Sequence, residues 1–362
     1  MDSLVPLQSG SVQVASGSRR KERRVRIQPE FLQSVVFICD DAQLRDSKST
    51  YRRVIGTGFC IRILLDGFQF IYFVTARHVV EGPDTEILYV RVRTEDGGMV
   101  DIETAPRDWY THDNADVAAI PMNIPESKRV HGVALGVEIF IDADYVYRIP
   151  TSYPERVTGI LNGRGIANPE ISVSVGDEVS FVSLFSQRPG QNTLLPVARF
   201  GRVSAMPTEP IRMTTFGGLS EFQGLAYLVE SHSWGGHSGA PAFWYVPILR
   251  KWSANDGSGE AYQQDYIPAL LGLVSGHFPI GGRVTTQLTS PDESKEQQRI
   301  RTELNSGIAI VTPASEIKNL LMRDDLVKER VDIVASKSPE VPPAVLDRAV
   351  ADDAAFTRND FL

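Results

Sequence analysis

Trp234-Gly235-Gly236-His237-Ser238-Gly239-Ala240-Pro241 sets one serine between two glycines, and a run of strand formers, Phe243-Trp244-Tyr245-Val246, follows directly. A serine hydroxyl attacks a carbonyl only when a base takes its proton and nearby donors hold the oxyanion that forms. Glycine at 236 lets the backbone turn its N–H groups toward one point, and glycine at 239 permits close approach of another chain. Glycine and serine are also ordinary turn residues, so this stretch alone does not separate a nucleophile from a turn.

The other groups that such chemistry needs lie upstream. Gly56-Thr57-Gly58-Phe59-Cys60-Ile61-Arg62-Ile63 and Phe70-Ile71-Tyr72-Phe73-Val74 read as strands, with Asp66-Gly67 as the hairpin turn between them. The second strand runs into Thr75-Ala76-Arg77-His78, placing a histidine at a strand end. Further on, Asp113-Asn114-Ala115-Asp116 opens onto Val117-Ala118-Ala119-Ile120, which puts Asp116 at the mouth of a third apolar strand, with Asp113 as the alternative acid.

The order His78, Asp116, Ser238 resembles the trypsin/chymotrypsin-like serine proteases, and so do the strings Gly-Thr-Gly-Phe (56–59), Thr-Ala-x-His (75–78), Asp-x-Ala-x-Ile (116–120) and Gly-x-Ser-Gly-x-Pro (236–241). Val175-Gly176-Asp177-Glu178-Val179, followed by Gly201-Arg202-Val203-Ser204-Ala205, is most similar to the Do-like (high-temperature-requirement) branch of that family. Leu270 to Gly276 looks like its cleft-lining strand, and Ser306 to Pro313 like its last barrel strand, leading into an amphipathic helix. The resemblance implies an all-β fold of two six-stranded antiparallel Greek-key barrels, with a C-terminal helix and long insertions. It implies Ser238 as nucleophile, His78 as general base and then acid, and Asp116 as the group that orients the imidazole. The main-chain N–H groups of Gly236 and Ser238 would hold the oxyanion.

The same resemblance places His232 and Ser233 at the base of the pocket for the side chain preceding the cut. Ser275, Gly276 and His277 would form its edge, with Ser275 also bonded to Asp116. Histidines there would favour an acidic or polar side chain at low pH, where they charge; the alternative is that His232 packs within its loop and His277 faces solvent. Two departures stand out. Arg77 replaces the usual small residue before the histidine, so its charge must leave the site floor or pair locally. His237 replaces the acid that digestive proteases set before the serine, so their activation switch is not expected. A zinc site of His232, His237 and His277 is disfavoured because no acidic or cysteine ligand accompanies them at metal-binding spacing; neither metal nor cofactor is expected.

Along the 362 residues, 1–25 read as a disordered arm and 26–325 as the protease domain. Within it, barrel one covers 26–122, a connection with an added hairpin 123–170, barrel two 171–312 and the closing helix 313–325. Residues 326–362 read as linker and tail, too short for the PDZ module that Do-like proteases append. Polar insertions at 250–266 and 281–305 read as exposed loops, or as a rim or lid over the cleft. With 45 acidic against 37 basic residues and a net charge of −8, nucleic acid is not an expected partner. No apolar run reaches the roughly 20 residues of a membrane span. Residues 1–17 hold no apolar signal core and Cys39 and Cys60 read as buried thiols, so a cytoplasmic protein is expected.

The leading expectation is a serine endopeptidase acting on protein or peptide substrates, with an activating partner protein as one route to triggering it. The alternative is a barrel module, latent or non-catalytic, that acts in protein binding or sensing. An α/β-hydrolase is disfavoured, because that fold needs a helix directly after the serine, whereas Pro241 and an aromatic strand follow here.

Overall fold

The computed structural model describes residues 27–41, 52–83, 85–122, 133–148, 170–183, 185, 190, 193–214, 221–231, 236–253, 260–284 and 300–337. The expected 1–25 arm, parts of the 123–170 connection and the end of the tail lie outside them. A short helix α1 (Pro29–Gln33) precedes β1 (Val35–Asp40), β2 (Arg53–Leu65) and β3 (Phe68–Thr75). The β2–β3 hairpin turns at Asp66 and Gly67 with φ of 47° and 81°, as a two-residue turn that matches strand twist requires. Helix α2 (Arg77–Glu81), β4 (Leu88–Arg93), β5 (Met99–Thr104), β6 (Tyr110–Thr111), β7 (Ala118–Pro121) and β8 (Leu135–Gly136) follow.

These strands form an eight-stranded sheet in the order β5-β4-β1-β2-β3-β7-β6, with β8 beside β2. Its hydrogen-bonded path ends at β5 and β6, so the ring expected for barrel one is not closed by backbone bonds. Between those ends Pro106 starts a 3-10 turn after β5, and the buried Trp109 indole donates to Thr104 Oγ1 at 3.3 Å.

The second half contains β9 (Val146–Arg148) paired with β10 (Glu170–Ser172), then β11 (Glu178–Ser183) and β12 (Val197–Ala205). A separate hairpin, β13 (Ile211–Thr214) with β14 (Glu221–Gly224), precedes β15 (Tyr227–Glu230), β16 (Pro241–Ser253), β17 (Glu260–Val284) and β18 (Ile300–Pro313). Six of these close a barrel, β11-β12-β15-β18-β17-β16. The two glycine-marked segments are neighbours in it, with Glu178 opposite Arg202.

Three sequence expectations need correction. The polar stretches at 250–266 and 281–305 are strand wherever they are described, at 250–253, 260–266, 281–284 and 300–305; the rest of each lies outside the described residues. The β16–β17 register runs out to Ser253 opposite Glu260, and β17–β18 to Val284 opposite Ile300. Backbone pairing does not require apolar side chains, so polar composition concealed these strands. Secondly, Glu138-Ile139-Phe140-Ile141, whose alternation reads as a strand of the added hairpin, is not a strand. Phe140 packs into the first core and Ile141 into the second, so their apolarity serves two different cores.

Thirdly, the expected linker after the closing helix α3 (Ala314–Leu321) begins as a helix, α4 (Asp324–Lys337). Leu326, Arg330 and Val334 form its buried stripe. Arg330 is fully buried, donating to Tyr72 Oη at 3.1 Å and to the Leu321 carbonyl at 2.9 Å. A guanidinium at the centre of the stripe hid its amphipathic period.

The two halves share packing. Phe243, Tyr245, Leu270 and Leu273 from the barrel belong to the core of the first sheet, and the Phe243 ring lies 4.3 Å from that of Phe31.

Candidate active site

Strand β3 delivers His78 to the site. After Thr75 the chain stays extended through Ala76 (φ −73°, ψ 140°) and enters α2, whose second residue is His78. The loop between β6 and β7 delivers Asp116. Its carboxylate, buried to 2% exposure, accepts from the His78 main-chain N–H at 3.0 Å and meets the ring Nδ1 at 2.8 Å. Both oxygens are thereby set on one residue, which fixes the ring plane and places its proton on Nδ1. Asp113 takes no such part; its carbonyl accepts from Arg77 at 3.4 Å, and its charge acts on Arg323. Arg77 turns away from the ring, with its Nε on Glu81 at 2.7 Å and Nη1 on the His112 carbonyl at 3.0 Å.

Ser238 sits on the same floor. Gly236 and Gly239 flank it with φ of 96° and 83°, which glycine alone adopts without strain. Thr57 on β2 clamps the turn from both sides. Its hydroxyl donates to the Gly236 carbonyl at 2.6 Å and its N–H to the Ser238 carbonyl at 2.9 Å. A Cβ on Gly239 would stand 2.0 Å from the Thr57 carbonyl oxygen and 3.0 Å from Ala76 N, so the serine turn packs directly on the lead-in to His78. Likewise a Cβ on Gly56 would meet Val79 at 2.5 Å and the Ser238 carbonyl at 3.3 Å. Strand β16, not a helix, follows the turn.

Among the described residues, neither the Gly236 nor the Ser238 main-chain N–H donates a hydrogen bond, and no hydrogen bond joins the Ser238 hydroxyl to the His78 ring. The structure therefore closes the His78–Asp116 link and packs the Ser238 turn against the lead-in to His78 without closing the second link. Such bonds are commonly long before substrate binds.

Burial lowers the affinity of His78 for a proton, but the charge of Asp116 and its hydrogen bond outweigh it and hold the pKa above the ordinary 6.5. His237, buried beside the serine, goes the other way. Burial first, then the charges of Arg199 and His277, push it down to about 4. Arg199 lies on the half-buried face of β12, a signal present in its alternation but not used in reading the sequence.

Of the expected pocket residues, His232 and Ser233 lie outside the described residues. Ser275 does not bond Asp116; it falls at a bulge in the β17–β18 ladder, between Val274 and Gly276, and its hydroxyl pairs with Thr312 Oγ1 at 2.6 Å. Gly276 opens onto free space, and His277 is half-buried within electrostatic range of His237. Among the described residues no group of three or more His, Cys, Asp or Glu could hold a metal ion, and no helix is long and apolar enough to cross a membrane. Cys39 and Cys60 are free, buried thiols, both pushed up to about 12 by burial. No protein-family model and no curated protein matches this chain.

Proposed function

We propose that this chain is a trypsin-like serine endopeptidase, with the two halves standing for the two barrels of that fold. The observation that carries the reading is the buried Asp116 carboxylate bonded to both the main-chain N–H and the ring of His78, with Ser238 locked onto the same floor by Thr57. In this reading Ser238 Oγ attacks the substrate carbonyl carbon while His78 Nε2 takes the hydroxyl proton. The oxyanion is held by the N–H groups of Gly236 and Ser238. The C–N bond then breaks as the imidazolium returns the proton to the leaving amine, forming an ester to Ser238. Water attacks that ester with His78 again as base, releasing the carboxylic acid and the free serine. Asp116 stays ionised throughout and stabilises the imidazolium. Protein or peptide chains are the substrates, and no cofactor takes part.

The unmade bond between Ser238 and His78 favours a second form of the reading, in which the enzyme is latent until a partner protein or substrate draws the hydroxyl onto the ring; a barrel acting only in binding is the limiting case. Cleavage of a peptide library tests both. Wild type should cleave with an initial acyl-enzyme burst, and Ser238→Ala should lose on the order of 10⁶-fold in kcat, the scale known for loss of such a nucleophile. Cleavage that survives Ser238→Ala would refute the assignment.

A further inference from the structure

The loop that carries Asp116 is built around one side chain that the sequence reading did not single out. Between β6 and β7 the chain closes on itself through the His112 N–H on the Val117 carbonyl at 2.9 Å. Inside the loop His112 Nδ1 accepts two main-chain N–H groups, from Asn114 at 3.1 Å and from Ala115 at 3.0 Å. A ring nitrogen that accepts carries no proton, so the proton of His112 sits on Nε2, which faces Glu316 Oε2 of α3 at 3.2 Å. The bond to His112 is the leading influence on Glu316, holding its carboxyl below the usual range despite burial. Two arginines hold the loop's outer carbonyls, Arg77 on residues 112 and 113 and Arg323 on Thr111 at 3.1 Å.

We propose that His112 is a positioning residue for Asp116: its Nδ1 fixes the turn that presents the carboxylate to His78, and Glu316 fixes the ring that does so. The helix after the barrel would thus act on the active site without touching substrate. The inference rests on the reading of Asp116 as the orienting acid. A carboxylate displaced by about 1 Å can cost on the order of 10²-fold in rate, which is the effect at stake.

The test compares side chains that separate the two ring nitrogens. Asparagine places its Oδ1 where Nδ1 stands and keeps the acceptor, whereas glutamine carries its amide one carbon further and loses it. With a fluorophosphonate probe, His112→Gln should label Ser238 on the order of 10²-fold more slowly than wild type, and His112→Asn should be rescued to within about 5-fold. Glu316→Ala should lose about 10-fold, and it serves as the second variant if His112→Gln does not fold. In parallel, the low-field proton resonance of the His78–Asp116 hydrogen bond should vanish or broaden in the glutamine variant and persist in the asparagine variant. A glutamine variant that keeps both rate and resonance, or an asparagine variant that loses both as fully as glutamine does, overturns the proposal. So does a Glu316→Ala protein identical to wild type, for the part assigned to α3. If wild type itself is not labelled, the reading of an enzyme active without a trigger fails and the latent form or the binding barrel stands, while the resonance comparison still decides whether His112 positions Asp116.

Discussion

Burial pushes both His78 and His237 toward the neutral ring, yet they end on opposite sides of the ordinary imidazole value of 6.5. The difference is Asp116. Because a general base must be unprotonated, the acid limb of kcat/KM should lie above pH 6.5, and Asp116→Asn should lower the rate by about 10⁴-fold, the scale known for this triad, with folding little changed. A pH–rate profile of wild type and a single-pH comparison with the variant check this. His237 makes a separate prediction, about stability. Between pH 6.5 and 4 the unfolded chain binds a proton at this position that the folded chain does not, so stability rises with pH across that window. On acidification roughly 3 kcal/mol should be lost through this residue, and urea titrations of His237→Gln should lack that component. For His78 the raised value works in reverse; its stabilising contribution is complete below 6.5 and fades as pH rises through the folded pKa. At this scale the sequence was informative wherever a residue's role follows from its place at a strand end, as with His78 and Asp116. It was silent on Ser275, whose partner depends on the β17–β18 register, and on His112, whose Nδ1 serves main-chain groups that spacing does not reveal.

The hairpin of β2 and β3 was legible because Asp66-Gly67 separates two apolar runs, whereas α4 was concealed by its own core residue. Arg330 stands where a leucine would have made the stripe obvious, and its guanidinium is fully buried between Tyr72 on β3 and the end of α3. Arg330→Ala removes the donor for Tyr72 Oη and the Leu321 carbonyl and leaves a cavity, and it should cost on the order of 3 kcal/mol in urea unfolding. Arg330→Met, which keeps most of the volume, should cost less. The extended ladders of β16, β17 and β18 are the complementary case. Their outer portions carry polar sequence, so composition pointed to loops while the backbone continued to pair.

Two separate cores meet in this molecule, and the elements that join them also frame the candidate site. Phe31 stacks on Phe243 of β16, the strand that leaves the Ser238 turn, and Phe140 and Ile141 divide between the cores. Residues 78 and 116 come from the sheet and residue 238 from the lead-in to the barrel, so the arrangement exists only while the halves stay packed. The His, Asp, Ser order made this convergence an expectation, because each residue sits at a strand end; the open first sheet was not legible, since backbone pairing between β5 and β6 is not encoded in the alternation of either strand. The claim that these three side chains form one hydrolytic unit is tested most directly by intact-mass and peptide mapping of protein treated with a fluorophosphonate. One adduct, on Ser238, lost in Ser238→Ala and strongly slowed in Asp116→Asn, is the predicted result. An adduct on a different residue, or one on Ser238 that forms as fast in Asp116→Asn as in wild type, would contradict it.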